Sequence, residues 1–139
     1  MVRNRVAVNS DIPLAVFIIG VKVNKIWAVH KWLKSVLAMK PMVDELYKNK
    51  EELGFYHTEY YLSWRGVTLV QYWKSNEAIM DYSKGKKHTE AYKLFYKTAA
   101  ASNSLGIFHE AYSIEPNHYH SLYVNMPEAG LLKALEKST

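Results

Sequence analysis

The chain has 139 residues, enough for one domain with a substantial core. It is 49% hydrophobic and 14% aromatic, with 11 tyrosines and 4 tryptophans, which suits a lined pocket, a subunit interface or a tyrosine-rich core. Its lack of cysteine excludes disulfides, thiolate metal sites and a cysteine nucleophile and fits a reducing cytoplasm, and its formal charge of +5 lacks the basic-and-stacking pattern of a nucleic-acid module.

Arg3 and Arg5 precede an apolar run from Ile12 to Val23, a superficial likeness to a signal peptide. Gly20 and Lys22 interrupt the run, and it is too short to span a bilayer, so a buried strand over 15–23 and a soluble protein are expected. Asn24 suits the cap of a following helix. Val29, Trp32, Leu33, Val36 and Leu37 then recur at helical spacing with Lys31 and Lys34 between them. Pro41 fits the first turn of a second helical piece whose Met42, Val43, Leu46 and Tyr47 continue an apolar stripe. The helical region closes at Leu53-Gly54, where glycine takes the left-handed conformation.

Two strands, 55–64 and 67–73, are joined through Arg65-Gly66 as a hairpin. Ser75 caps a short helix to Ser83, with Glu77 in its first turn complementing the dipole. Gly85 breaks that helix, and the Lys84, Lys86, Lys87 cluster reads as a solvated loop. A helix over 88–101 follows, with Ala91, Tyr92, Phe95, Tyr96 and Ala99 on one face. The strand 106–114 places Ile107, His109, Ala111 and Ser113 on one side and Phe108, Glu110, Tyr112 and Ile114 on the other. Two titratable groups back to back among aromatics predict a strand covered on both faces. Glu115-Pro116-Asn117 turns the chain into a last strand over 119–125.

The order is β-α-β-β-α-β with an extra C-terminal strand, the ferredoxin-like split unit, an α+β fold with helices on one face of an antiparallel sheet. Both registers of nearly every strand carry apolar or aromatic residues, so the other face is not polar. A homodimer whose sheets form a shared barrel, each subunit keeping an internal cavity, satisfies both faces. The whole chain, 1–139, is read as one domain with 1–12 and 130–139 as tails.

Gln71-Tyr-Trp-Lys-Ser75, His88-Thr-Glu-Ala-Tyr92, Gly106-Ile-Phe-His-Glu-Ala-Tyr112 and Tyr123-Val-Asn-Met-Pro127 stand in the order and spacing of one family. From about Arg3 to Gly130 the chain resembles the small monooxygenase-like proteins similar to the fumagillin-pathway, antibiotic-biosynthesis-type monooxygenases. The resemblance implies a dimeric α/β barrel and oxygenation of an electron-rich organic substrate without metal or flavin. The same superfamily contains haem-degrading enzymes and haem-dependent aldoxime dehydratases, so haem is the alternative cofactor. Tyr92 stands where tryptophan is common and the loop before His88 is short, departures that bear on substrate identity.

His109 and His88 are the candidate bases, since cofactor-free oxygenation needs a deprotonated substrate. Their plainer readings are a core histidine bonded across the sheet and a helix-terminus histidine bonded to backbone. Tyr72, Tyr112 and Tyr123, with Trp73 and Tyr92, are candidates for holding a substrate, or are core rings with satisfied polar ends. Asn125 is either a turn residue or a donor to a developing oxyanion. His118 and His120 lack a third ligand at metal spacing, and no metal is expected. No phosphate loop, dinucleotide fingerprint or nucleophile elbow occurs, which speaks against kinases, nicotinamide enzymes and common hydrolases. The readings are therefore a cofactor-independent monooxygenase for a small aromatic or polyketide-like substrate, a haem protein, or a non-catalytic binding module, with neither nucleic acid nor membrane as partner.

Overall fold

A computed structural model describes residues 6–8, 12–85, 90, 93–94, 96–97, 101 and 103–136. Its centre is a four-stranded antiparallel sheet of β2 (Leu14–Val23), β3 (Phe55–Ser63), β4 (Gly66–Trp73) and β5 (Leu105–Ile114), in the order β3-β4-β2-β5. That order, with the crossover α1 (Val29–Leu37), α2 (Met39–Lys48) and α3 (Lys50–Leu53) between β2 and β3, is the ferredoxin-like arrangement. The helix α4 (Asn76–Ser83) follows β4, and residues 90, 93–94, 96–97 and 101 are helical.

Local chemistry explains the element ends. Gly54 closes α3 at φ 78°, and its amide donates to the Lys50 carbonyl. Ser75 caps α4 by accepting from the Ala78 amide at 3.1 Å. The β3–β4 turn is made by Trp64 and Arg65, the latter at φ 65°. Asn24 is not a helix cap. Its amide instead donates to the Ser104 carbonyl at 2.8 Å, which ties the end of β2 to the entry of β5, and α1 starts only after a turn closed by Ala28 on Lys25.

Two apolar clusters fill the space between sheet and helices. One joins Val21, Val23, Leu69 and Leu105 to Met39 and Val43 of α2. The other joins Ala15, Phe55 and Trp73 to Leu46 and Ile79. The expected stripe of α1 is not part of either core at Val29, Leu33 and Leu37, which stay exposed.

Both segments expected as tails contain secondary structure. β1 (Val6–Val8) pairs antiparallel with β6 (Ser121–Tyr123) in a separate two-stranded sheet, so the extra C-terminal strand does not extend the main one. The helix α5 (Gly130–Glu136) packs Leu131 and Leu135 on Leu14 and partly on Tyr56 and Tyr72, across the face opposite the other helices. Spacing of three and four between Leu131, Ala134 and Leu135 gives it one buried stripe.

The strand 106–114 is corrected in one respect. β5 lies at the sheet edge, and Phe108 to Ser113 are exposed on both faces within this chain. An edge strand has only one strand neighbour to shield it, and α5 reaches no further along this face than Ile114. Among the described residues no helix is long and apolar enough to cross a membrane.

Candidate functional site

Alternation along the strands divides their side chains between two faces. Phe17, Ile19 and Val21 of β2, Leu69, Gln71 and Trp73 of β4, and Ile107, His109 and Ala111 of β5 face the helices. With Met39, Met42, Val43 and Leu46 of α2, Ile79, Met80 and Tyr82 of α4, and Tyr96, they enclose a cavity of about 830 Å3. Three thioethers in that wall give it a soft, adaptable surface for a flat apolar ligand.

Few polar groups reach this wall. The His109 imidazole stands on the edge strand with its ring 5.6 Å from that of Phe17, tilted by 39°. Phe17 holds it on the cavity side, and the edge position leaves it open to solvent. The phenol of Tyr82 donates to the Met42 carbonyl at 3.4 Å, and burial pushes it up to about 12, so it serves as a donor and not as a base. Gln71 is 5% exposed. Its Oε1 accepts from Trp73 Nε1 at 3.0 Å; an indole nitrogen only donates, which fixes the carboxamide with its NH2 end turned away from Trp73. That nitrogen bonds no described residue. Its cross-strand neighbour Thr58 has a buried hydroxyl without a partner, a burial that costs about 1–3 kcal/mol when left unanswered.

The opposite face carries a second polar group. A bulge between Phe55 and His57 turns His57 onto this side, where it stacks on Tyr72 at 6.5 Å. His57 Nε2 lies 3.0 Å from Glu59 Oε1, which also accepts from the Gly130 amide at 2.9 Å. Burial lowers the His57 pKa despite the carboxylate beside it. Burial alone would raise Glu59, but the Gly130 amide and His57 outweigh it and hold the carboxyl below its usual range. A neutral His57 thus donates from Nε2 to the carboxylate and accepts at Nδ1 from Tyr47, whose hydroxyl is 3.0 Å away. The same hydroxyl meets the backbone amide and carbonyl of Thr58 on the sheet's outer edge. This chain of bonds fastens α2 and α5 to β3.

The candidates from sequence therefore separate. His109 and Trp73 line the cavity, Trp73 as a 1% exposed wall. Tyr72 is on the other face with its phenol pushed by burial up to about 12, beside α5. Tyr123 is buried in β6 and accepts from the Leu132 amide at 3.1 Å. Tyr112 donates to Glu110 at 2.9 Å on the exposed face of β5. Asn125 is an exposed turn residue at φ 51°, away from the cavity. His88 and Tyr92 lie outside the described residues. Sequence reasoning passed over Gln71, although it opens the Gln71-Tyr-Trp motif and shares the period-two face of Trp73. Nor did it pair His57 with Glu59, a contact that depends on a bulge and a distant helix.

A family model described as monooxygenase af470-like matches residues 14–131. Among solved structures the chain is similar to an aldoxime dehydratase in complex with butyraldoxime, at 17% identity and a TM-score of 0.73, over 89% of this chain and 38% of that one. It thus spans well under half the length of that enzyme. It is also similar to a protein of unknown function from Bacteroides thetaiotaomicron, described as a possible oxidoreductase (12% identity, TM-score 0.53, 74% of this chain and 99% of that one). A third likeness is to a dimeric protein of unknown function and ferredoxin-like fold from Bacteroides fragilis (13% identity, TM-score 0.52, 73% and 96%). At these identities the likeness is one of fold. No curated protein matches in sequence.

Proposed function

The chain belongs to the monooxygenase af470-like family, and from that premise we propose a homodimeric, cofactor-independent monooxygenase acting on a small, electron-rich aromatic or polyketide-like compound. The observation that carries this reading is the cavity of about 830 Å3, apolar and thioether-rich, with the His109 imidazole on its open side. Imidazole accepts and returns a proton near neutrality, and apolar walls around it suit both a flat ring system and dioxygen.

In the proposed reaction His109 takes a proton from an activated CH2 or phenol of the substrate. The resulting anion passes one electron to dioxygen, and the radical pair combines to a carbon-bound peroxide. Loss of water, with the proton returned by the imidazole, leaves a carbonyl. The balance is CH2 plus O2 giving C=O plus H2O, with carbon oxidised by four electrons and dioxygen reduced by four.

The homodimer is supported by the uncovered part of the sheet. Ile18 and Val70 are only half-buried there, and Phe108 and Tyr112 are 49% and 50% exposed. A second sheet packed on this face answers that exposure.

Haem fits the described lining poorly. It offers one imidazole, already packed on Phe17, and no lysine or arginine to pair with haem carboxylates. Oxygen uptake by metal-free protein with an anthrone tests the proposal. One O2 consumed per quinone formed, without added haem, is the expected result. A Soret band required for activity, or tight binding without turnover across a panel of phenols and anthrones, sinks it in favour of the haem or binding-module reading.

A further inference from the structure

One carboxamide, that of Gln71, stands in the wall of the cavity. Gln71 and Thr58 are direct cross-strand partners, 5% and 3% exposed, set among Phe55, Leu69 and Trp73. The Gln71 oxygen is used by Trp73, and its nitrogen bonds no described residue but stands in the cavity wall, while the neighbouring Thr58 hydroxyl is fully buried without a partner. An amide nitrogen without a protein partner in a cavity wall is available to a ligand or a water. Gln71 lines the cavity, so its free amide hydrogens point to a ligand acceptor atom.

Register fixes where that acceptor sits relative to His109. Gln71 is opposite Phe17, whose other partner is Ala111, while His109 is opposite Ile19. The two residues are therefore two strands apart, about 10 Å, and one like-facing row apart, about 7 Å. Both side chains line the same cavity, so a ligand of that span reaches both.

We propose that Gln71 holds the acceptor oxygen of the substrate, and that the substrate is a conjugated ring compound whose carbonyl or phenolic oxygen and acidic C–H lie at different ends of one π system. The inference rests on reading the cavity as the substrate site. When the proton leaves towards His109, negative charge spreads through the ring to the distant oxygen. A preorganised amide donor binds that oxyanion more strongly than the neutral ketone or phenol, and its apolar surroundings strengthen the effect. The role given to Asn125 on sequence grounds thus belongs to Gln71.

The test uses 2-hydroxyanthraquinone, whose visible absorption separates phenol from phenolate. Wild-type protein is expected to bind the dye and shift it to the phenolate spectrum at a pH where the free dye is protonated. Gln71→Leu should lose the shift and weaken binding by about tenfold or more, and Gln71→Glu, which keeps the shape but repels an anion, should lose more. Trp73→Phe, which removes the donor that orients the carboxamide, should give a partial loss. Circular dichroism checks each fold, and if the leucine variant does not fold, the glutamate and Trp73 variants decide. Absence of dye binding to the wild type, or wild-type affinity and spectrum in the folded Gln71 variants, overturns the proposal. Gln71-dependent dye binding without oxygen uptake on an anthrone keeps this subsite and sinks only the oxygenase reading. Oxygen uptake with Gln71-independent dye binding does the reverse.

Discussion

His57 donates from Nε2 to Glu59 at 3.0 Å, and the same carboxylate oxygen receives the first amide of α5. One part-buried ion-dipole junction thus joins the β3 edge to the C-terminal helix. Its pH dependence has a definite sign. Burial holds His57 below its ordinary 6.5, so below that pH the unfolded chain takes up a proton that the folded one resists. Glu59 is held below its ordinary 4.5, so its contribution is present above that value and is lost as pH falls through the lowered folded value. Thermal melts should therefore be flat above about pH 6.5 and fall on acidification, in two stages. Glu59→Gln keeps an acceptor for Gly130 but should remove the lower stage. Melting temperatures independent of pH from 8 to 4 would refute this.

Phe55 anchors the second core cluster, edge-on to Tyr47 at 5.1 Å and to Trp73 at 5.3 Å, and is 2% exposed. Phe55→Ala should cost about 3–5 kcal/mol in denaturant unfolding, from lost burial and the cavity left behind. A loss under about 1 kcal/mol would mean that this cluster closes over the gap.

The part of the fold that is legible in sequence is local. The Ser75 cap, the Gly54 terminator and the alternation of β2 and β5 each depend on residues within a few positions of one another, and each is where the sequence places it. The site is less legible because register, not spacing, assembles it. Val16 is the cross-strand neighbour of both Tyr72 and Tyr112, which puts both tyrosines on the face away from His109. Period-two alternation separates Gln71 and Trp73 from Tyr72 within one motif, but says nothing of which set meets the helices. That is decided by the apolar stripe of α2. The 130–139 segment reads as a tail because its helix is short, yet three apolar residues and one backbone bond to Glu59 place it on the sheet.

Gly20 is required by a close approach. A Cβ there would run into the ring of Phe108, which lies across the strand pair on the uncovered face. Gly20→Ala should destabilise the wild type. In a Phe108→Ala background the clash is gone, and relief of glycine's strand penalty should make the same change stabilising by about 0.5–1 kcal/mol. A double-mutant cycle by chemical denaturation reads the sign reversal directly, and additive effects would refute the contact.

Ile18 tests the proposed dimer. It sits half-buried on the uncovered face between Val70 and Glu110. In a monomer, Ile18→Lys places a cation beside Glu110 at little cost. In a shared barrel it buries an amine against a second sheet. Light scattering should give a dimer mass for the wild type and a monomer mass for the variant, with a folded spectrum in both. A monomeric wild type at micromolar concentration, or an intact dimer of the variant, would exclude the interface.

His109 and Tyr112 share a strand but face opposite ways, and that makes them a controlled pair. Phe17 keeps the imidazole on the cavity side, whereas the Tyr112 hydroxyl is bound to Glu110 on the other. If proton removal limits oxygenation, His109→Ala should lower kcat on an anthrone by roughly 10²–10⁴-fold, the usual worth of a positioned base. The spontaneous oxidation of the substrate is subtracted at each pH, because anthrone ionises without help as pH rises. His109→Ala should then recover at high pH, where solvent hydroxide performs the deprotonation, and added imidazole should restore part of the rate near neutrality. Tyr112→Phe removes a hydroxyl that never reaches the cavity, so its rate should match the wild type within about twofold, a difference of about 0.4 kcal/mol. Equal losses in both variants would mean that β5 acts through its packing and not through its imidazole.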